Sequence, residues 1–423
     1  ACAPAAYTFA SNELLQTAVA AWCSNATLAA QTYGAIGTWC TSGVTSLEGL
    51  FYAHCSTLST FNDDISQWDV SSVLSLSRTF RGAAAFNQSL AAWNVARVQS
   101  MHETFYAASS FNGSLASWVT SELTDMYGMF QYATSFDRDL SSFDTSGVTT
   151  MARAFRGAAS FDRALSSWDT SEVTSMRGMF RGASSFRGDV SSWETGKVAS
   201  MYRMFSEATA FDGDVSSWDL RGTTDVRYMF AGASSFNGDV SAWDMSGVTD
   251  MQGLFSAASS FNADISAWDV SGATNMREMF HDATAFNQNL APWDVSGVLN
   301  FGSMFEGATA FSKQTLCWSM PDSASTADMF LGVQSASAKA FDSTTLSTVV
   351  SAWFSDSATT MANYGKMNFW CTSEVEDMSE LFSYRHYFNE DISRWDTSRK
   401  LCYKQVPNPM YFSLEGQILS ISL

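Results

Sequence analysis

Basic residues are scarce in this chain: of 423 residues only 23 are Lys or Arg, against 42 Asp and Glu, giving a formal net charge of −19. That balance argues against nucleic acid and against anionic membranes as partners, because both are bound through clustered cations. No apolar run approaches the roughly 20 residues needed to span a bilayer as a helix, so no transmembrane segment is expected. Histidine is rarer still. His54, His102, His281 and His386 fall at unrelated places, none with a Cys or Ser at a recognisable catalytic spacing, and His54 beside Cys55 is one ligand pair without a second. An enzyme is therefore not expected. The glycine-rich nonapeptide of calcium-binding β-rolls is missing too. The chain opens ACAPAAYTF, with neither an initiator Met nor a charged-then-apolar leader, as a mature or trimmed product would.

Apolar material, by contrast, is plentiful. Hydrophobic residues make up 46% of the chain and charged ones 15%, which separates it from disordered sequences. Its distribution is periodic. Phe stands at 61, 86, 111, 136, 161, 186, 211, 236, 261, 286 and 311, eleven times at a spacing of 25 without an insertion. Seven residues after each comes an aromatic, Trp at every step from Trp68 to Trp318 except Phe143. A second Phe follows 19 residues after the first, from Phe80 to Phe330, with Ala three further on at most steps, as in Ala83, Ala108, Ala158 and Ala308. Such a register predicts stacked coils sharing one core.

Within one coil, GDVSAWD predicts a short strand near 239–244, ended by the turn-prone MSG. Val248, Met251, Leu254, Phe255 and Ala258 are spaced like one helix face, with Thr249 or Asp250 placed to cap it. The fold class expected is an α/β solenoid with one short parallel strand and one short helix per coil, the strands stacking at ~4.8 Å. Met in the helix positions reads as core filler.

Residues 20–51 reappear at 351–382 with a constant offset of 331, pairing Trp22 with Trp353, Tyr33 with Tyr364, Gly34 with Gly365 and Cys40 with Cys371. A solenoid needs an atypical end unit over its open core, so each block reads as a helical N-terminal cap. The organisation expected is a cap and first partial repeat over 1–60, eleven repeats over 61–340, a second cap-like block with one repeat over 341–398, and a divergent tail over 399–423. That tail fits either a truncated second array or a divergent C-terminal cap. The seven cysteines, Cys2, Cys23, Cys40, Cys55, Cys317, Cys371 and Cys402, lie mostly outside the regular coils, where caps need stapling, and favour an oxidising compartment. An odd count leaves at least one thiol unpaired within the monomer.

The stretch SFNGDVSAWDMSGVTDMQGLFSAASSFN resembles the repeat of the BspA-like leucine-rich-repeat surface proteins, the group labelled DUF285, over about residues 13–398. Phe-Asn, Trp-Asp, Val-Thr and Met-Phe recur in fixed order; Val119 replaces the Asp after Trp118, and SKQTLCWSMP distorts the last coil. The resemblance implies a leucine-rich-repeat-like fold and an extracellular or surface-displayed protein whose relatives are associated with adhesion. It implies no active site.

Outside the core columns, acids recur before the expected strand, at Asp64, Asp139, Asp189, Asp214, Asp239 and Asp264, and after the Trp, at Asp69, Asp144, Asp169, Glu194, Asp219, Asp244, Asp269 and Asp294. Stacked like charges suggest calcium, which takes roughly six to eight oxygen ligands, with Asp189, Asp214, Asp239, Asp264, Asp219, Asp244 and Asp269 as candidates. The alternative is that each acid caps an Asx turn. Apart from calcium no cofactor is expected. Arg gathers on the expected outer helix face, at Arg78, Arg81, Arg153, Arg156, Arg177, Arg181, Arg203, Arg227 and Arg277, either as a solvated face or as one suited to lateral association. Variation is greatest at Tyr127, Arg177, Tyr202, Arg227, Gln252 and Arg277, which makes that side the candidate binding face. The strand side carries small residues such as Ser191, Ser192, Ser216, Ser217, Ser241 and Ala242, either spacer surface or a bed for an extended polymer. Asn25, Asn87 and Asn112 head sequons that would be N-glycosylated in a eukaryotic secretory pathway.

The function expected is a non-enzymatic extracellular or cell-surface binding module for a protein or glycan, its affinity spread over many weak contacts. The first alternative is a subunit that assembles with copies of itself into an extracellular filament or coat. A carbohydrate-active enzyme would need an off-pattern acidic pair in one coil, and none is present.

Overall fold

The computed structural model describes residues 6–311, 318, 320–333 and 341–364, then 367, 370, 372, 375, 377–378, 381–383, 385, 388–390, 392 and 395, and the backbone of 410–414 and 417–421. Cys2, Cys317, Cys371, Cys402, Gly365 and His386 lie outside the described residues. There are two compact units, one of Ala1–Gln288, Asp294–Phe311 and Met320–Val333, the other of Asn289–Trp293, Ser312–Ser319 and Gln334–Leu423.

The first unit begins with helix α1 (Asn12–Ser24), capped by the Ser11 hydroxyl accepting from the Leu14 N–H, and α2 (Ala26–Tyr33), capped by the Asn25 side chain accepting from the Leu28 N–H. Each cap satisfies an N–H that the first helical turn leaves without a partner. A third, short helix α3 (Leu50–His54) follows. The Cys23–Cys55 disulfide ties the end of α1 to the residue after α3, closing a separation of 32 residues.

Beyond the cap, neither the strand nor the helix expected in each coil is formed. From 61 to 311 no residue lies in a helix or an extended strand. In the coil starting at 100, the N–H groups of Met101, Glu103, Phe105 and Ala107 donate to the carbonyls of Asp125, Tyr127, Met129 and Gln131 in the next coil, at 2.7–2.9 Å. The alternate N–H groups of Thr104, Tyr106 and Ala108 instead close turns onto Met101, Glu103 and Phe105 at 3.1–3.2 Å. Half of the donors therefore run between coils and half run three residues back. That leaves neither the exchange of donor and acceptor that defines a strand ladder nor the four-residue step of a helix. Only single parallel bridges remain, such as Ser100 to Asp125 and Asp125 to Thr150.

This path needs left-handed backbone at two columns four residues apart. Positive φ occurs at Glu103 (51°) and Ala107 (54°), and in the neighbouring coils at Arg78 (56°), Gly82 (80°), Gly128 (58°) and Tyr132 (61°). The apolar spacing that resembled a helix face belongs to this chain of turns. Likewise, the three-residue gap between Val240 and Trp243 is a turn, closed by the Trp243 N–H on the Val240 carbonyl at 3.2 Å. The α/β solenoid is thus replaced by a stack of turn-built coils.

The core of the stack is aromatic. Phe86, Phe111, Phe136 and Phe161 stack with successive centroids 5.9 Å apart, and Phe80, Phe105, Phe130 and Phe155 form a second ladder at 5.4–5.6 Å. The ladders touch within each coil, Phe105 against Phe111 at 3.9 Å. Trp is required in its own column for a polar reason: its indole N–H enters the core and must be matched. Trp93, Trp118, Trp193, Trp218 and Trp243 donate to the carbonyls of Ile65, Leu90, Leu165, Val190 and Val215 in the preceding coil, at 2.9–3.1 Å. Phe143 breaks that chain. The Leu115 carbonyl still accepts the Trp118 backbone N–H at 3.0 Å, but the residue one coil on carries no indole.

The second unit holds α4 (Ser343–Ser355), opened by a capping box between Asp342 and Thr345, and α5 (Ser357–Tyr364). Both helices repeat α1 and α2 end for end at the 331-residue offset. Trp353 meets Trp370 edge-on at 5.6 Å, as Trp22 meets Trp39 at 5.8 Å, and the Trp395 indole donates to the Met367 carbonyl, as Trp68 does to Ile36. Phe354, in the place of Cys23, packs on Phe388. An antiparallel pair, β1 (Met410–Leu414) and β2 (Gln417–Ile421), supplies the only strands among the described residues. No helix among those residues is long and apolar enough to cross a membrane.

Two outcomes are expected. Trp193→Phe should lower stability by about 1 kcal/mol through its lost indole donor, and Phe143→Trp should gain a similar amount, read by denaturant unfolding. At Gly182, with φ of 70° and only ordinary 3.8 Å contacts awaiting a Cβ, Ala should cost about 1 kcal/mol for its left-handed backbone alone, while Ala257→Gly (φ 55°) should raise the melting temperature.

Candidate functional site

One left-handed column, with Gly128, Gly178, Arg203, Tyr228, Gly253 and Glu278, directly follows the candidate binding-face residues in the chain. All six candidate binding-face residues fall in one column, 25 residues apart or a multiple of it: Tyr127, Arg177, Tyr202, Arg227, Gln252 and Arg277. Arg177 and Arg277 are exposed; the other four are half-buried. Their backbone N–H groups are capped two residues earlier, Tyr127 by Asp125 Oδ1 at 2.8 Å, Gln252 by Asp250 at 3.0 Å and Arg277 by Asn275 at 3.1 Å. At these positions a small polar residue two before thus caps the turn from which the side chain leaves the coil.

The column is part of a wider lattice. Arg177 and Arg227 both lie over the Tyr202 ring, with guanidinium carbons 4.5 and 5.3 Å from its centroid. Arg203 joins them, 5.3 Å from Tyr202 and 4.9 Å from Tyr228. Arg153 lies over Tyr127, Arg156 over Tyr132, and Arg81 between Tyr52 and Tyr106. Each such contact contributes about 0.5–1 kcal/mol at an exposed site and, more usefully here, holds a long side chain in one place. His102 stacks on Tyr127 at 4.8 Å and turns Nδ1 toward Asp125 at 3.3 Å. His281 lies near Asp282 and Glu306, well away from His102 in the chain.

Charge is unevenly matched along this face. Glu103 accepts from Arg78 and Arg81, and although its burial raises its pKa, these two bonds hold it below the ordinary carboxylate range. Arg227 makes a two-pronged pair with Asp225, and Arg277 pairs with Glu278. The Nε of Arg203 is buried without a hydrogen-bond partner, as is the Oε1 of Gln131.

The carboxylate columns lie elsewhere on the coil and serve the backbone. Asp189, Asp214, Asp239 and Asp264 accept from the N–H groups of Ser191, Ser216, Ser241 and Ser266 at 2.9–3.0 Å. Asp244 and Asp269 do the same for Ser246 and Ser271, and Asp219 for Arg221. Bonds from the hydroxyl and backbone N–H of the following serine keep Asp189, Asp214, Asp239, Asp244 and Asp269 below their ordinary pKa, and the Arg221 guanidinium takes Asp219 to about 2. Among the described residues no group of three or more His, Cys, Asp or Glu side chains is gathered where it would hold a metal ion. Ser192 and Ser217 donate to the carbonyls of Ser166 and Ser191, so the small hydroxyls also tie coil to coil.

The sequon asparagines are structural as well. Asn87 Oδ1 accepts the Asn112 N–H at 2.7 Å, and Asn112 Oδ1 the Asp137 N–H at 3.1 Å, a ladder continued by Asn237 and Asn262. Asn25 caps α2.

Four overlapping stretches, residues 17–143, 124–243, 224–346 and 348–406, match the family model described as Mycoplasma protein of unknown function, DUF285. The chain belongs to the DUF285 family. No curated protein and no solved structure matches it.

In this DUF285 chain the tyrosines that complete the lattice, Tyr106, Tyr132 and Tyr228, escaped the sequence reading because a helix was expected there. The signal was Gly recurring at 128, 178 and 253 in the column occupied by Arg78, Arg153, Arg203 and Tyr228, a costly choice inside a helix and an ordinary one at positive φ.

The Asp columns predict a pH dependence. Asp64, Asp69, Asp189, Asp214, Asp239 and Asp294 sit below the ordinary Asp value of 3.8 in the folded chain. A carboxylate lowered by folding contributes stability above its unfolded pKa and loses it as pH falls through the folded one, so the melting temperature should hold at neutral pH and drop below about pH 4. Asp214→Asn, which still caps the turn, should melt near wild type, and Asp214→Ala lower. A rise in melting temperature with millimolar calcium, abolished in Asp214→Asn, would instead make the column a cation site.

Proposed function

We propose that the chain is a non-enzymatic, extracellular or surface-displayed binding module, and that the tyrosine and arginine face is where an extracellular protein or glycan docks. One observation carries the reading: Tyr127, Tyr132, Tyr202 and Tyr228 are interleaved with Arg153, Arg156, Arg177, Arg203 and Arg227 on one side of a regular stack, held by ring contacts before any ligand arrives. Tyr and Arg are the residues that most often anchor interfaces, and prior ordering lowers the entropy cost of docking.

Three further observations support it. The repeat resembles that of BspA-like surface proteins, and the family match is to repeats of unknown function. The Cys23–Cys55 disulfide suits an oxidising compartment. The carboxylates recur in the same turn-capping role from coil to coil, which is how scaffold is built and unlike a singular catalytic pair.

The test is binding of the full chain to a panel of immobilised matrix proteins and glycans. Arg177→Ala and Tyr202→Ala should each weaken the ligand found by about tenfold or more, Arg177→Ala while unfolding near the wild-type midpoint and Tyr202→Ala with a midpoint lowered by the loss of its three guanidinium contacts. Binding that neither change affects would move the site off this face. A molar mass that grows with concentration, by light scattering, would favour the self-assembling alternative.

A further inference from the structure

Four guanidinium groups at the middle of the face have no ionic partner. Among the described residues, Arg153, Arg156, Arg177 and Arg203 make no ion pair, whereas Arg78 and Arg81 before them share Glu103, and Arg227 and Arg277 after them pair with Asp225 and Glu278. Arg181, which lies between Arg177 and Arg203 in the chain, is held by Glu207 at 3.0 Å. Each unpaired group is positioned by a tyrosine ring instead, at 5.4 Å for Arg153, 5.5 Å for Arg156, 4.5 Å for Arg177 and 4.9 Å for Arg203. A ring neutralises no charge and accepts no in-plane N–H bond, so the donors of these groups are left for an anion.

From this we infer that the stretch from Tyr127 to Tyr228 binds an anionic polysaccharide, its sulfate or carboxylate groups engaging Arg153, Arg156, Arg177 and Arg203, and its sugars lying against the tyrosines. The inference rests on the proposed binding role of this face and names the ligand class. Placement favours a polymer: Arg153 and Arg203 stand in one column two coils apart, with Arg156 and Arg177 in neighbouring columns, and each coil advances by the 5.9 Å of the Phe ladder beneath, so the open guanidiniums form a row that steps by whole coils. A folded acidic protein has no such repeat. The dense charge of a nucleic acid is opposed by the acids flanking the strip and by the net charge of −19, which a sparser polyanion confined to the four open arginines avoids.

The experiment uses the full chain and four probes of similar length: dextran sulfate of low substitution, polygalacturonate, neutral dextran and poly-glutamate, with binding followed by calorimetry at physiological salt. Binding to dextran sulfate, to polygalacturonate or to both, with neither dextran nor poly-glutamate bound comparably, is expected, and the two charged sugars distinguish sulfate from carboxylate. Arg156→Gln with Arg177→Gln should weaken it by about tenfold or more. Arg156→Lys with Arg177→Lys, which keeps the charge and loses the planar fork, should lie between. Arg187→Gln with Arg221→Gln, outside the face and beside Asp162 and Asp219, should leave it unchanged. No binding to either charged sugar, equal binding to poly-glutamate, or equal loss in the Arg187 and Arg221 control would overturn the inference. If the face variants still abolish binding to a protein ligand, the general binding role stands and only the glycan assignment falls.

Discussion

Everything in the stack depends on how one coil disposes of its backbone donors. Alternate N–H groups point along the stack to carbonyls in the next coil, and those between close turns within their own coil. With both sets matched, the chain can bury its backbone without helix or strand, which is the condition any close-packed core imposes. The cost falls on conformation: two columns must turn left-handed, and several do so without glycine, as at Glu103, Tyr132 and Glu207. One of those columns directly follows the candidate face, as Gly128 follows Tyr127 and Arg203 follows Tyr202, and it supplies Arg153, Arg203 and Tyr228 to the ring lattice.

The side chains beneath follow from that backbone. Because successive coils are in register, like residues stack on like, rings in the Phe and Trp columns and branched aliphatics in the column of Ile65, Leu90, Leu115 and Val190. Trp is retained where a core carbonyl needs a second donor, Asn or Asp where the next coil's N–H needs an acceptor. Letters that recur every 25 residues are therefore mostly answers to backbone demands. What is left for ligands is the set of outward positions the backbone does not need.

The strand and helix failed for one reason. Val240 and Trp243, or Met251, Leu254 and Phe255, are compatible with a helix face, a strand edge or a run of tight turns, since a spacing of three or four residues is common to several of them. Local pattern does not say whether an N–H will find its partner four residues back, three back, or 24 ahead in the next coil. Helix propensity is weak in so short a segment, and packing overrides it. Glycine at 128, 178 and 253 was the one legible warning.

By itself the sequence determined the 25-residue register, the Phe and Trp core columns and the duplicated cap, because each is a matter of recurrence, and recurrence is visible without coordinates. Only the tertiary structure decided that the coils are built of turns, that the Asp columns cap backbone rather than cluster, and which arginines are matched by acids and which by rings. Those outcomes turn on whether the backbone points a group at a neighbour one or two residues away or at the adjoining coil, and a one-dimensional pattern holds the spacing of such residues but not that direction.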